Sequence, residues 1–133
     1  MIRSLAFLAL AASLGATSAI AAPASVQDAF GNTIVSTYPD GRVGKLWLHE
    51  GGTYTAQGRR GDPSSGSWKV SGKKLCLRQS RPLPMLFRYC TPIPPDGMDH
   101  AWAAKAATGE DIRVQVVRGA SSPVALATHD ASR

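Results

Sequence analysis

The chain has only two cysteines, three histidines and three each of tryptophan, tyrosine and phenylalanine among 133 residues. What is scarce narrows the chemistry. The apolar run from Leu5 to Leu14 is about half of the roughly 20 residues that a membrane-crossing helix needs, so a membrane-spanning protein is not expected. His49, His100 and His129 stand in separate segments without a ligand-type partner at i+2 or i+4, whereas zinc draws three or four nitrogen or sulfur donors together. Asp96 and Asp99 crowd one loop with Gly97 and His100, but two carboxylates fall short of the six or more oxygens that calcium takes. No Gly-x-Ser-x-Gly elbow is present, since Gly66-Ser67-Trp68 lacks the trailing glycine. Carboxylate pairs for acid and base work would have to come from Glu50, Asp62, Glu110 or Asp111, all in or beside turns. These gaps argue against an enzyme and imply no metal and no cofactor.

The first residues have the layout of a secretory signal peptide: Arg3, the apolar run, then small residues ending in Ala19-Ile20-Ala21. Cleavage is expected after Ala21. Neither cysteine lies at that point, so no lipid anchor is expected. Removal of residues 1–21, whose one charge is Arg3, would leave 112 residues and lower the formal charge from +6 to +5. A chain of that length is one domain. Export across a bacterial inner membrane implies a periplasmic or secreted protein and argues against nucleic acid as a partner. In an oxidising compartment the two cysteines, Cys76 and Cys90, have one possible pairing, and no Cys-x-x-Cys or adjacent histidine suggests a reactive or metal-binding pair. Closing a loop of about 15 residues is worth roughly 3 kcal/mol in the chain-entropy model.

After the signal, short β-compatible stretches alternate with turn signals at close spacing, and no helical periodicity of useful length competes. The expected strands are Thr33 to Tyr38, Val43 to Leu48, Thr53 to Arg59, Gly66 to Val70, Lys73 to Gln79, Met85 to Thr91, His100 to Ala107 and Asp111 to Val117. Pro39-Asp40-Gly41 is a turn with a mechanism, proline fixing φ and glycine accepting positive φ. Ser71-Gly72 signals a hairpin that sets Trp68 and Val70 on one face, Leu75 and Leu77 on one face, and Cys76 on the other. Ile112, Val114 and Val116 alternate with Asp111, Arg113 and Gln115, so that strand has one buried and one wet face. Pro92-Ile93-Pro94-Pro95-Asp96-Gly97 reads as an extended loop. The fold expected is all-β: an antiparallel meander of about eight strands forming a small closed or partly open barrel over residues 32–118, with a sandwich as the alternative. Residues 22–31 lead into it. The Ala- and Ser-rich tail of residues 119–133 lacks alternation and is expected to be flexible.

The run Gly51-Gly52-Thr53-Tyr54, then Gly66-Ser67-Trp68, then Lys74-Leu75-Cys76-Leu77 resembles a pattern found in small uncharacterised exported bacterial proteins of minimal lipocalin-like barrel type. The motifs cover residues 51–77, and the topology extends to residues 31–118. The general architecture is shared with the lipocalins and with secreted bacterial inhibitors of metalloproteases. The chain departs from the lipocalin pattern, which carries Gly-x-Trp near the start, because Trp47 is preceded by Leu46 and Lys45. The resemblance implies fold and compartment and brings no catalytic residue with it.

The aromatics Trp47, Tyr54, Trp68, Phe87, Tyr89 and Trp102 are spread over different strands, as in a β core. They either fill the barrel or line an apolar pocket, since eight strands permit both. Positive charge concentrates between Arg59 and Arg88, where Asp62 is the one acid. Lys69, Lys73, Lys74 and Arg78 lie on neighbouring strands and would gather into a basic surface, either a solvated face or one that attracts envelope phosphates or an acidic partner. Two functions follow. The first is a non-enzymatic barrel holding a small apolar or amphipathic ligand or touching the cell envelope. The alternative is a protein-interaction module, such as an inhibitor of a secreted protease, acting through Arg81 to Pro84 or Pro92 to Gly97.

Overall fold

The computed structural model describes residue 15 and residues 24–120; the rest of the expected signal peptide, residues 22–23 of the lead-in and residues 121–133 of the tail lie outside the described residues. One helical turn, α1 (Ala24–Gln27), precedes eight strands: β1 (Thr33–Thr37), β2 (Val43–Leu48), β3 (Thr53–Gln57), β4 (Pro63–Ser71), β5 (Lys74–Arg81), β6 (Tyr89–Pro92), β7 (Trp102–Lys105) and β8 (Asp111–Val117). All pairings are antiparallel, in the order β6-β5-β4-β3-β2-β1-β8-β7. The first strand therefore pairs with the last, Ile34 opposite Val116 and Ser36 opposite Val114. This closes the meander into a nearly complete barrel whose one unsealed seam falls between β6 and β7. Proline explains where the seam lies: Pro92, Pro94 and Pro95 have no N–H to donate, so β6 stops after four residues.

Four hairpins repeat one turn. Tyr38, His49, Gly58 and Ala106 each donate their N–H to the carbonyl four residues on and accept from a glycine N–H three residues on. The glycines, Gly41, Gly52, Gly61 and Gly109, have φ between 81° and 93°. This is the three-residue hairpin whose last loop residue is left-handed, a conformation that costs glycine nothing. Three of the turns, at residues 38–42, 58–62 and 106–110, lie at the same end of the barrel.

Side chains alternate across the wall as strand geometry requires. Ile34, Leu48, Tyr54, Leu75, Ile112 and Val114 are buried in one inner cluster, and Leu46, Leu77, Trp68, Val70, Trp102 and Val116 pack against it. Cys76 lies directly opposite Cys90 in the β5–β6 register, and the two form the disulfide. Both belong to the outer parity, since Leu75 and Leu77 face in.

Several boundaries differ from the sequence expectation, β1 ending at Thr37, β3 at Gln57 and β5 running from Lys74 to Arg81. β4 starts at Pro63, inside the stretch read as a loop, and the hairpin turn is Gly72-Lys73, with Ser71 paired to Lys74. β6 starts at Tyr89 rather than Met85, because Met85 instead folds its N–H back onto the Gln79 carbonyl. β7 is confined to four residues.

The register of β4 on β5 shifts between Ser65 and Gly66, which pair with Arg81 and Gln79. A Cβ on Gly66 would lie 2.0 Å from the Arg78 carbonyl oxygen, closer than any side chain can approach. The two strands approach here only because residue 66 has no side chain. Gly66→Ala is expected to cost about 2 kcal/mol or more, as an overpacked site with a backbone neighbour, and so to lower the urea unfolding midpoint by roughly 1 M. An unchanged midpoint would show that the strands do not meet this closely.

Candidate functional site

The barrel interior is not filled. A cavity of about 290 Å³ runs along its axis, at the lower end of the roughly 300–1,000 Å³ of small-molecule sites. Its apolar wall includes Ile34, Leu46, Leu77, Trp102, Ile112 and Val114. Ser36, Lys45, Gln57, Ser64, Gln79 and Thr91 supply scattered polar groups, and among the described residues the wall contains no carboxylate and no histidine. Burial raises the pKa of Tyr54 and of Tyr89 above the ordinary 10.0, the Thr91 hydroxyl drawing Tyr89 partly back. Thr91 Oγ1 is buried in this wall beside the Tyr89 hydroxyl and meets no other polar partner.

One end of the cavity is closed. Val26 and Ala29, from α1 and the turn after it, are 0% exposed and join Met98 and Leu48 in the inner cluster. The plug is held in its own shape by successive turn bonds from Ala29 to Val26, Phe30 to Gln27 and Asn32 to Ala29. Asn32 then accepts from the Gly119 N–H at 3.1 Å, holding the plug to the end of β8. Phe30 stacks on Trp68 with ring centroids 5.6 Å apart.

At the other end the wall continues to Tyr38, Gly58 and Met85, and among the described residues no helix covers it. Arg59 organises this rim. Its guanidinium lies 4.4 Å from the centre of the Tyr38 ring, 2.8 Å from Glu110 and 3.9 Å from Asp40. One side chain thereby joins the three hairpin turns of that end. Glu110 also accepts from the Thr108 hydroxyl. The Thr108 hydrogen bond, with the Arg59 guanidinium adding to it against some loss of hydration, holds the Glu110 carboxyl below the usual carboxylate range.

The six aromatics singled out from the sequence divide. Tyr54, Tyr89 and Trp102 line the cavity. Trp68 faces inward but belongs to the closed end, its indole donating to the His49 carbonyl at 2.8 Å. Trp47 does not reach the interior. It takes the outer parity of β2, is 2% exposed, and donates from Nε1 to Thr33 Oγ1, which in turn donates to the Gly119 carbonyl. Phe87 is 72% exposed on the β5–β6 loop and belongs to neither core nor pocket. The physical reason in both cases is a continuous apolar run, Leu46-Trp47-Leu48 and Met85-Leu86-Phe87, in which alternation gives no parity.

Lys69, Lys74 and Arg78 lie exposed on the outer face of β4 and β5 on either side of the disulfide, with Lys73 in the hairpin turn beside them. Among the described residues none of the four makes an ion pair with a carboxylate. The two candidate interaction loops differ. Ile93 packs against the core and lines the cavity, so the Pro92–Gly97 loop is partly structural, whereas Leu83 is 73% exposed. His49 Nε2 lies 3.2 Å from Thr55 Oγ1, and among the described residues no three metal-ligating side chains converge. What sequence reasoning missed is the Arg59 rim, because nothing in the spacing of residues 38, 40, 59 and 110 shows that three turns share one end.

Among the described residues no helix is long and apolar enough to cross a membrane. The disulfide fits folding in an oxidising compartment. No known family, no curated protein and no solved structure matches the chain.

The contacts of the Glu110 carboxylate, with the Thr108 hydroxyl first and the Arg59 guanidinium second, set an acid dependence. A carboxyl held below its ordinary 4.5 contributes stability that is complete above that value and is lost as the pH falls through the lower folded value. Glu110→Gln should remove this part of the acid sensitivity while leaving the melting temperature near neutral pH only slightly lower. Melting curves taken from neutral pH down through the carboxylate range check this, and parallel curves for the two proteins would contradict it.

Proposed function

We propose that this chain is an exported, non-enzymatic, minimal lipocalin-like barrel that holds a small apolar or amphipathic molecule inside. The observation that carries the reading is the unfilled apolar cavity, plugged at one end and framed by a cross-braced rim at the other. Ligand sites have this character: a concave, mostly apolar wall with few polar groups to fix orientation. Eight strands are close to the number at which side chains either fill the interior or leave room for one small ligand. The buried Thr91 hydroxyl, whose one polar neighbour is the Tyr89 hydroxyl, is among the few polar groups that the wall offers such a ligand. The ionisable side chains of the wall are Lys45, Tyr38, Tyr54 and Tyr89, with no carboxylate or histidine among them, a set that supports binding over catalysis. The signal-like start and the disulfide support a periplasmic or secreted location.

Native mass spectrometry of the protein recovered from the export compartment is expected to show a bound species of low mass that organic extraction removes. The extracted protein should then bind a fluorescent apolar probe with one-to-one stoichiometry. Ala56 lines the cavity from β3, and Ala56→Phe should fill it. That variant is expected to lose about tenfold in probe affinity, equivalent to roughly 1.4 kcal/mol, with an unchanged β-sheet circular dichroism spectrum. Full affinity in Ala56→Phe, or recovery of the protein with an empty and probe-refractory interior, would refute internal binding.

A further inference from the structure

The β5–β6 loop breaks the usual rule for a soluble surface. Leu83, Leu86 and Phe87 are 73%, 91% and 72% exposed, which puts three of the five exposed large apolar side chains of the described residues on one six-residue segment, Pro82 to Phe87. Isolated exposed apolar residues need no explanation, but a cluster does. The loop is not a collapsed fragment whose apolar groups failed to find the core. Its backbone is fastened to β5 by the Met85 N–H on the Gln79 carbonyl, by the Gln79 side chain on the Leu83 carbonyl at 2.9 Å, and by Arg78 Nε on the Met85 carbonyl at 3.3 Å. Leu86 and Phe87 are thus held outward by a structured base.

Two further features say what the loop meets. Its shoulders are basic: Arg81 and Arg88 are exposed on either side, Arg78 lies beneath, and no acidic residue occurs from residue 63 to residue 95. Among the described residues none of these three arginines is paired with a carboxylate. An apolar tip between arginines matches an anionic bilayer surface, where the tip enters the acyl boundary and the guanidinium groups meet the phosphates. The loop also lies at the unplugged end of the barrel, and Met85, between the exposed residues and β5, is part of the cavity wall. Apolar surface therefore runs from the tip over the rim into the interior.

We propose that the Pro82–Phe87 loop docks the open end of the barrel on an anionic phospholipid surface, and that the molecule taken into the cavity is a single-chain acyl amphiphile from that surface. The second half rests on the internal-binding reading above; the docking half does not. Docking needs the tip and the arginines. Loading needs the cavity as well.

Co-flotation of the purified full chain with vesicles tests both halves. The wild type is expected to float with vesicles of phosphatidylcholine containing phosphatidylglycerol, to float much less with phosphatidylcholine alone, and to be released by salt. Each arginine at an anionic surface strengthens binding roughly fivefold, so Arg81→Gln/Arg88→Gln should weaken it about twentyfold. Leu86→Ser/Phe87→Ser should weaken it at least about tenfold, while both double variants keep full affinity for the soluble apolar probe. Ala56→Phe should still float yet fail to extract a fluorescent fatty acid from the vesicles. If Leu86→Ser/Phe87→Ser floats as the wild type does, or the wild type ignores anionic vesicles, docking is wrong whatever the cavity holds; capture of an envelope protein through an intact loop in that second case would assign the tip to a protein partner instead. If docking holds but Ala56→Phe extracts as much as the wild type, the cavity is not the receiving site.

Discussion

Everything in this molecule depends on the pairing of its first strand with its last. Five consecutive residue pairs, from Thr33 opposite Val117 to Thr37 opposite Arg113, join β1 to β8 and turn a meander into a cup. Without them the inner faces of eight short strands would present one side of an open sheet to water. With them, side chains of alternate parity are forced toward a common axis, and the number of strands fixes how wide the space between them is. The same pairing carries the plug, because Thr33 and Asn32 both bond to Gly119 just beyond β8. The disulfide serves the opposite side of the barrel, where β6 is short and ends one side of the seam. There the sheet has no ladder to β7, and the Tyr89 hydroxyl reaches across to the Lys105 carbonyl.

Closure was legible in the sequence to the extent that alternation was. Ile112, Val114 and Val116 against Asp111, Arg113 and Gln115 give the parity of β8 directly, and Trp68, Val70, Leu75 and Leu77 give that of the β4–β5 hairpin. The glycine-terminated turns marked the hairpins for an equally local reason, since positive φ is a property of one residue. Alternation fails where apolar residues are consecutive. Trp47 between two leucines, and Phe87 after Met85 and Leu86, could be assigned to either face from sequence, and the structure sends both away from the interior. Gly66 shows a different limit. Its neighbours read as an ordinary Gly-x-Trp strand, and the bulge that makes glycine necessary is a relation to Arg78 on the next strand.

The candidate site was half visible for the same reason. Tyr54, Tyr89 and Trp102 come from three strands and share a wall only after closure, yet each is an aromatic at a plausible inward position. The Arg59 brace unites turns separated by 51 residues between Arg59 and Glu110, and no local pattern encodes that. The cavity itself is a matter of volume rather than of residue type. Small residues at Ala56, Ala104 and Gly44 leave space where larger ones would fill it, and their effect depends on what faces them across the barrel. The exposed loop inverts the usual reading of hydrophobic residues, because Leu86 and Phe87 are held outward on the surface proposed to meet the bilayer.

The nearly closed meander encloses an apolar space which its own side chains do not fill. Crystals of the protein exposed to pressurised xenon test it most directly, since xenon enters apolar cavities of this kind. Xenon density is expected inside the barrel, in contact with Leu77 and Ile112 and shielded from solvent on the side of Val26 and Met98. Side chains meeting across the axis with no room for the gas, or a chain of hydrogen-bonded waters along it, would contradict the account.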